Sequence, residues 1–276
     1  MSQNAATHPP CCPSWHPPPD DPMLPDNEVH IWRARLDPPE AVVESLRGFL
    51  AEDELRRVAR FHFPAHRRHF TVARGTLRML IGRYLHESPE KIHFAYNRYG
   101  KPFLAFNSFR FNLSHAGEMV LYAFVRNREI GIDIEWMARR LDDGESIVKR
   151  FFSPREVETF LELPAPFRKT AFFNGWTRKE AYIKARGKGL SIPLDQFDIM
   201  PGRGRACLVT TRGDPREAPP RTTRWMMETL TPEADYIATL MVAGQPCPVV
   251  YWQIGADDFI CEPKARRSDT TPGIGQ

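Results

Sequence analysis

Cysteine is scarce. The five present, Cys11, Cys12, Cys207, Cys247 and Cys261, include no C-x-x-C pair. Neither a zinc site nor a disulfide framework is suggested, and a reducing compartment is the simpler expectation. No apolar run approaches the roughly 18–20 residues that a membrane span needs. No basic segment followed by an apolar one opens the chain, so no signal peptide is visible. The expectation is a cytoplasmic protein with no membrane partner. Charge of one sign is also missing. Lys and Arg number 38 against 34 Asp and Glu, a net charge of +4. That surplus is too small to argue nucleic acid, but it suits an anionic ligand.

What is present is an ordinary globular composition, 42% hydrophobic and 26% charged over 276 residues. This is enough apolar material for one large domain or two small ones. Proline is unevenly placed. Pro9, Pro10, Pro13, Pro17, Pro18, Pro19, Pro22 and Pro25 crowd the first segment. Such a stretch cannot hold a helix or a sheet ladder. Residues 1–27 are therefore expected to form a disordered arm, from which Trp15 could still dock on the body. Residues 263–276 are expected to form a disordered tail.

Between these ends, helices and short strands alternate. Val29–Ala34 reads as a strand, and Glu40–Leu50 and Asp53–Phe61 as helices. Residues 66–85 carry helical periodicity through Phe70, Leu77, Leu80, Ile81 and Leu85. Ile92–Tyr96 and Phe103–Ala105 read as short strands around a turn. Met119–Val125, a turn over Arg126–Glu129 and Ile130–Trp136 read as a hairpin. Phe167–Ala185 reads as a long helix running into a loop at Gly187–Gly189, with antiparallel strands beyond. A loose internal repeat follows Phe61 and Phe151: a polar stretch, a long helix, a loop and a short strand. Two similar α+β halves, 28–125 and 126–262, explain it.

The strand Gly131-Ile132-Asp133-Ile134-Glu135 puts its isoleucines on one face and both acids on the other. Two neighbouring carboxylates repel unless a cation lies between them, and oxygen ligands favour magnesium. An amphipathic edge strand with its polar face in water fits the same pattern. Trp176, Glu180 and Lys184 recur at i, i+4 and i+8, on one helix face. Glu180 and Lys184 could serve a metal, a proton and an anionic leaving group, or could be an ordinary surface ion pair. Phe111-Asn112-Leu113-Ser114-His115 reads as a short polar loop offering donors to a phosphate. Tyr99-Gly100-Lys101-Pro102 is a turn carrying one lysine. His66-Arg67-Arg68-His69, with Arg74 and Arg78, is either an anion site or a solvated helix face.

In this order and spacing, these stretches, with Arg150-Phe151-Phe152-Ser153 and Gly187-Lys188-Gly189-Leu190, resemble the 4′-phosphopantetheinyl transferases. The likeness is to the larger single-chain class often called Sfp-type, and it covers about Val29 to Met200. It implies a pseudo-dimer of two α+β halves with coenzyme A in the cleft between them. It implies a monomer that acts on an acyl or peptidyl carrier protein. Asp133, Glu135 and Glu180 resemble the magnesium ligands, and Glu180, Lys184 and Asp133 the catalytic groups. Lys101, Pro102, Ser114, His115 and Lys184 resemble contacts to coenzyme A. Arg67 or Arg68 resembles the basic position near the 3′-phosphate, with Arg57 assisting. Two other classes fit the sequence less well. A binding module without catalysis would leave three acids and a lysine without a task. A nucleic-acid-binding protein would rest on the 66–69 run and the pI of about 8.8, with no nucleic-acid motif beside them.

Overall fold

The structure, a computed structural model, describes residues 12–105, 108–141, 143–201, 205–211, 221–255 and 257–259. Cys11, Cys261, the first eleven residues of the arm and the tail at 263–276 lie outside the described residues. The elements run β1 (Val29–Arg35), α1 (Glu40–Gly48), α2 (Glu52–Arg60), α3 (Pro64–Leu85), β2 (Ala95–Tyr96), β3 (Pro102–Phe103), β4 (Phe109–Ala116), β5 (Met119–Arg126) and β6 (Ile130–Trp136). They continue with α4 (Gly144–Phe151), α5 (Pro154–Leu161), α6 (Ala165–Arg186), β7 (Phe197–Pro201), β8 (Ala206–Thr211), β9 (Arg221–Leu230), β10 (Tyr236–Ala243) and β11 (Val249–Gln253).

Local chemistry sets several boundaries. Proline stands in the first turn of α3, α5 and α6, where its missing N–H costs nothing. Ser153 and Glu156 form a reciprocal capping box at the start of α5. Helix α6 stops at Gly187, whose φ of 63° is the left-handed turn that glycine takes without strain.

Two sheets carry the fold. The first has the order β11-β1-β5-β4 and the second β6-β10-β9-β8-β7. All pairings within them are antiparallel except β1 with β11. Each sheet turns one face toward the other. Val29, Ile31, Leu121 and Val125 from the first share a buried cluster with Ile130, Ile132, Ile134 and Leu240 from the second. On its outer face the first sheet sets Trp32, Tyr122 and Phe124 against Leu77 and Ile81 of α3. The second sets Trp225, Met227 and Met241 against Ala181, Tyr182 and Ala185 of α6. The result is the expected α+β architecture in two halves, each a sheet covered by a 22-residue helix.

Three expectations are corrected. The β5–β6 hairpin does not form: β5 pairs with β1 and β4, and β6 pairs with β10. The turn at Asn127, with φ of 54°, carries the chain from one sheet to the other. Met119–Val125 is buried throughout, so β5 is a central strand needing a partner on each edge. The tight hairpin is β4–β5, with Ala116 opposite Met119 across Gly117. Accordingly, Phe111–His115 is strand, not loop. The short strands near residue 100 shrink to two residues each, β2 and β3.

Two placements bear on the expected halves. Strand β11 returns to the first sheet beside β1. From residue 12 onward the proline-rich segment lies on the body rather than free. His16 bonds to Tyr251 and Gln253 through its backbone, at 3.1 and 2.9 Å, and Leu24 is buried in the core under α3. Trp15 does dock, its ring 5.5 Å from Tyr251.

Candidate active site

Strand β6 backs directly onto α6, and Gly131 permits it. A Cβ at Gly131 would meet Ala181 O at 2.1 Å and Ala185 N at 2.4 Å, both backbone atoms of the helix. Asp133 and Glu135 share the face of Gly131, by the period of the strand. They are thereby turned toward the helix that carries Glu180 and Lys184. On the other edge of β6, side chains of β4 replace a strand partner. Asn112 Oδ1 accepts from the N–H of Ile132 at 2.8 Å, and Ser114 Oγ from that of Ile134 at 3.4 Å. Three elements, one from the first sheet and two from the second half, thus meet at Asp133.

Asp133 is buried, with 4% exposure. Its Oδ1 accepts from Lys184 Nζ at 2.6 Å and from Ser114 Oγ at 3.0 Å. Lys184 Nζ also donates to Ser114 Oγ at 2.8 Å. Asp133 Oδ2 is buried without a partner. Glu135 pairs with Arg139 at 3.2 Å. Burial raises its pKa, Arg139 opposes, and the charge of Asp133 raises it further. Glu180 is raised by burial, then by Asp133, with Lys184 opposing and Glu135 adding. Glu135 and Glu180 thus both feel the charge of Asp133, with Lys184 opposing at both and Arg139 opposing at Glu135. His115 reaches solvent at the end of β4. Its pKa is lowered by the surrounding protein, then by His69, Lys184 and His66 in turn. His115, His69, His66 and Lys184 thus form a basic group beside the acidic one, and His69 is itself 3.2 Å from Glu118.

Among the described residues, no three His, Cys, Asp or Glu side chains close into a metal cluster. The donor set nonetheless suits a hard cation. It has a buried carboxylate oxygen without a partner, and two further carboxylates whose charged forms are disfavoured by burial and by that neighbour.

The structure brings together Asp133, Glu135, Ser114, His115, Glu180 and Lys184. It does not bring in Lys101, whose Nζ turns inward onto the carbonyls of Ile130, Lys184 and Ala185. Pro102 lies in β3, opposite Tyr96. Arg67 donates to Phe61 O at 2.8 Å, and Arg68 is engaged with Glu40 and Pro38 O. Arg57 stacks over Phe70. The solvated-face reading of Arg74 and Arg78 is corrected: both are buried on Glu54, at 3.4 and 2.6 Å. Trp176 is a packing residue between Phe151 and Phe172.

Sequence reasoning assigned no task to three residues that shape the site. Asn112 was visible inside its motif, but its bond to β6 depends on a pairing the sequence hides. Asn97 sits two residues before the Tyr99–Pro102 turn, a position where asparagine side chains organise turns. Lys179 is buried beside Glu180 on α6. It donates to Leu194 O, Phe197 O and Glu156, at 2.7, 3.0 and 2.7 Å, fixing the segment after the glycine loop.

Comparison with known proteins gives the family. The model of the 4′-phosphopantetheinyl transferase superfamily matches residues 129–241, which hold β6 and α6. A second, "4′-phosphopantetheinyl transferase, N-terminal", matches residues 35–126. The chain is similar to the 4′-phosphopantetheinyl transferase HetI of Nostoc sp. strain PCC 7120. The two are 40% identical over 243 residues, 87% of this chain and 98% of HetI. It is 31% identical over 174 residues to the 4′-phosphopantetheinyl transferase Sfp of Bacillus subtilis strain 168, covering 62% of this chain and 76% of Sfp. With near-complete coverage of one relative, and with acids and lysine gathered where β6 meets α6, the chain belongs to the 4′-phosphopantetheinyl transferase superfamily and is an enzyme of that kind.

Proposed function

We propose that this protein transfers the 4′-phosphopantetheine arm of coenzyme A to a serine of an acyl or peptidyl carrier protein, with magnesium, releasing 3′,5′-ADP. The observation that carries this reading is the meeting of Lys184, Ser114 and Asp133, with Glu135 and Glu180 alongside. Phosphoryl transfer needs in-line positioning and charge neutralisation more than covalent help. Asp133, Glu135 and Glu180 would hold the magnesium, which when bound would neutralise charge on the phosphate oxygens.

The chain's own residues do the rest. Glu180, on the face of α6 turned toward Asp133, is the general base, taking the proton from the carrier serine directly or through one water. Such catalysis typically contributes about 10²–10⁴-fold. The serine Oγ then bonds to the β-phosphorus while the bond from that phosphorus to the bridging oxygen breaks. Lys184, partly exposed on α6, neutralises the leaving phosphate and gives it a proton. Asp133 and Ser114 fix the direction of its ammonium. His115, with His66 and His69 nearby, lies on the basic flank, where the 3′-phosphate of coenzyme A is expected. Asn112 holds β6 against β4 and so keeps the two flanks in register.

The test is the intact mass of an apo carrier protein incubated with this protein, coenzyme A and magnesium. The expected gain is one phosphopantetheine, abolished by a chelator and restored by added magnesium. An unchanged mass across several carrier types, from folded protein that binds coenzyme A, would favour a binding module instead.

A further inference from the structure

The turn Asn97–Lys101 belongs to the first half by sequence, yet its side chains are bonded to the second. Asn97 Nδ2 donates to Gly187 O at 2.5 Å. Lys101 Nζ donates to the carbonyls of Ile130, Lys184 and Ala185, at 2.9, 2.7 and 3.2 Å. An ammonium has three donors, and all three are used. Two of these carbonyls belong to the last turn of α6, where Lys184 O also accepts the cap N–H of Gly187 at 3.1 Å and the dipole favours a cation. The turn is itself braced. Asn97 Oδ1 accepts from the N–H of Tyr99 and of Lys101, at 2.9 and 3.0 Å. Contact with the helix end is close, since a Cβ at Gly187 would meet Asn97 Nδ2 at 3.0 Å and Lys101 Cδ at 3.1 Å.

Lys184 is the residue whose carbonyl is held from this side and whose Nζ reaches Asp133 on the other. We infer that the Asn97–Lys101 turn is a clamp that fixes the last turn of α6, and with it Lys184 against Asp133. This makes Lys101 a positioning residue for transfer and not a phosphate ligand. The inference rests on the proposed transferase reading for its effect on rate, but not for the existence of the clamp. Burial lowers Lys101 to about 8, with Glu129 opposing and Arg110 adding, in keeping with an amine enclosed among backbone carbonyls.

The experiment compares Lys101→Met, Lys101→Arg and Asn97→Leu with the full-length protein. Transfer to an apo carrier is followed together with direct binding of coenzyme A and of 3′-dephospho-coenzyme A. The clamp predicts kcat about 10–100-fold lower in Lys101→Met, the scale of a small displacement of a reacting group. The affinity ratio of the two ligands stays at its wild-type value. Lys101→Arg, which can also serve several carbonyls, recovers part of the rate. A ratio collapsing toward one would make Lys101 a phosphate ligand and overturn the inference, as would an unchanged kcat. Amide exchange over residues 184–189 is the readout that needs no turnover. It is expected to quicken at least about tenfold in Lys101→Met, and unchanged exchange also overturns the clamp. A wild-type protein that transfers nothing counts against the proposed function alone. Should Lys101→Met fail to fold, Asn97→Leu removes the bond to Gly187 O and the two bonds that brace the turn, and carries the same expectations at smaller amplitude.

Discussion

Lys184 Nζ stands 2.6 Å from Asp133 Oδ1, joining the last turn of α6 to the centre of β6. The lysine is 28% exposed and the aspartate side chain 6%. One partner thus reaches the cleft while the other is held inside the protein. Under the proposed function, that asymmetry lets a single ion pair both orient the cation used in transfer and support the fold.

Lys184→Met should separate the two roles. It leaves Asp133 buried with only Ser114 on Oδ1, so stability should fall by about 1–3 kcal/mol in urea unfolding. Lys184→Arg keeps the charge but presents a planar fork of almost no acidity. It should retain most of the stability and of the coenzyme A affinity, yet transfer at least about tenfold more slowly. Full activity in Lys184→Arg would limit the lysine to charge neutralisation.

Gly131→Ala tests the approach of α6 to β6. The added methyl would sit 2.1 Å from Ala181 O, and helix backbone cannot rotate aside as a side chain can. The expected cost is at least about 2 kcal/mol of unfolding free energy, with transfer reduced because Glu180 and Lys184 ride on the displaced helix. A variant as stable and as active as wild type would show that the helix has room to move.

Lys101 gives the pH dependence. Its ordinary value of 10.5 is lowered to about 8 by burial. Between those values the unfolded chain binds a proton that the folded chain has released, so this group's contribution to stability rises with pH across the window. Measured against Lys101→Met, the wild type should therefore gain on going from pH 7.5 to 10.5, by about 3 kcal/mol at most. Chemical denaturation of both proteins at the two pH values reads the difference. No change would place the amine in water, and a change of opposite sign would mean that the fold favours the charged amine; either contradicts the expectation.

The chemistry of the site was more legible in the sequence than its neighbourhood. Strand period alone put Asp133 and Glu135 on one face, and helical period put Glu180 and Lys184 on another, because local geometry fixes which side chains share a surface. Pairing between strands is nonlocal and was not legible. An apolar strand, a polar turn and a second strand look the same whether the chain folds back, as expected for β5 and β6, or crosses to another sheet, as it does. Likewise nothing near Arg74 and Arg78 announces burial, because their partner Glu54 lies on a separate helix. Lys101 was recognisable as a lysine in the right turn. Its partners are backbone carbonyls, which carry no residue identity for a sequence to display.

Single-turnover transfer by Glu180→Gln beside wild type, with coenzyme A affinity measured on the same preparations, tests the central claim most directly. The account predicts a rate at least about 100-fold lower, with coenzyme A still bound and the fold intact. Equal single-turnover rates would contradict it, and the proton acceptor would then have to be sought elsewhere in the cleft.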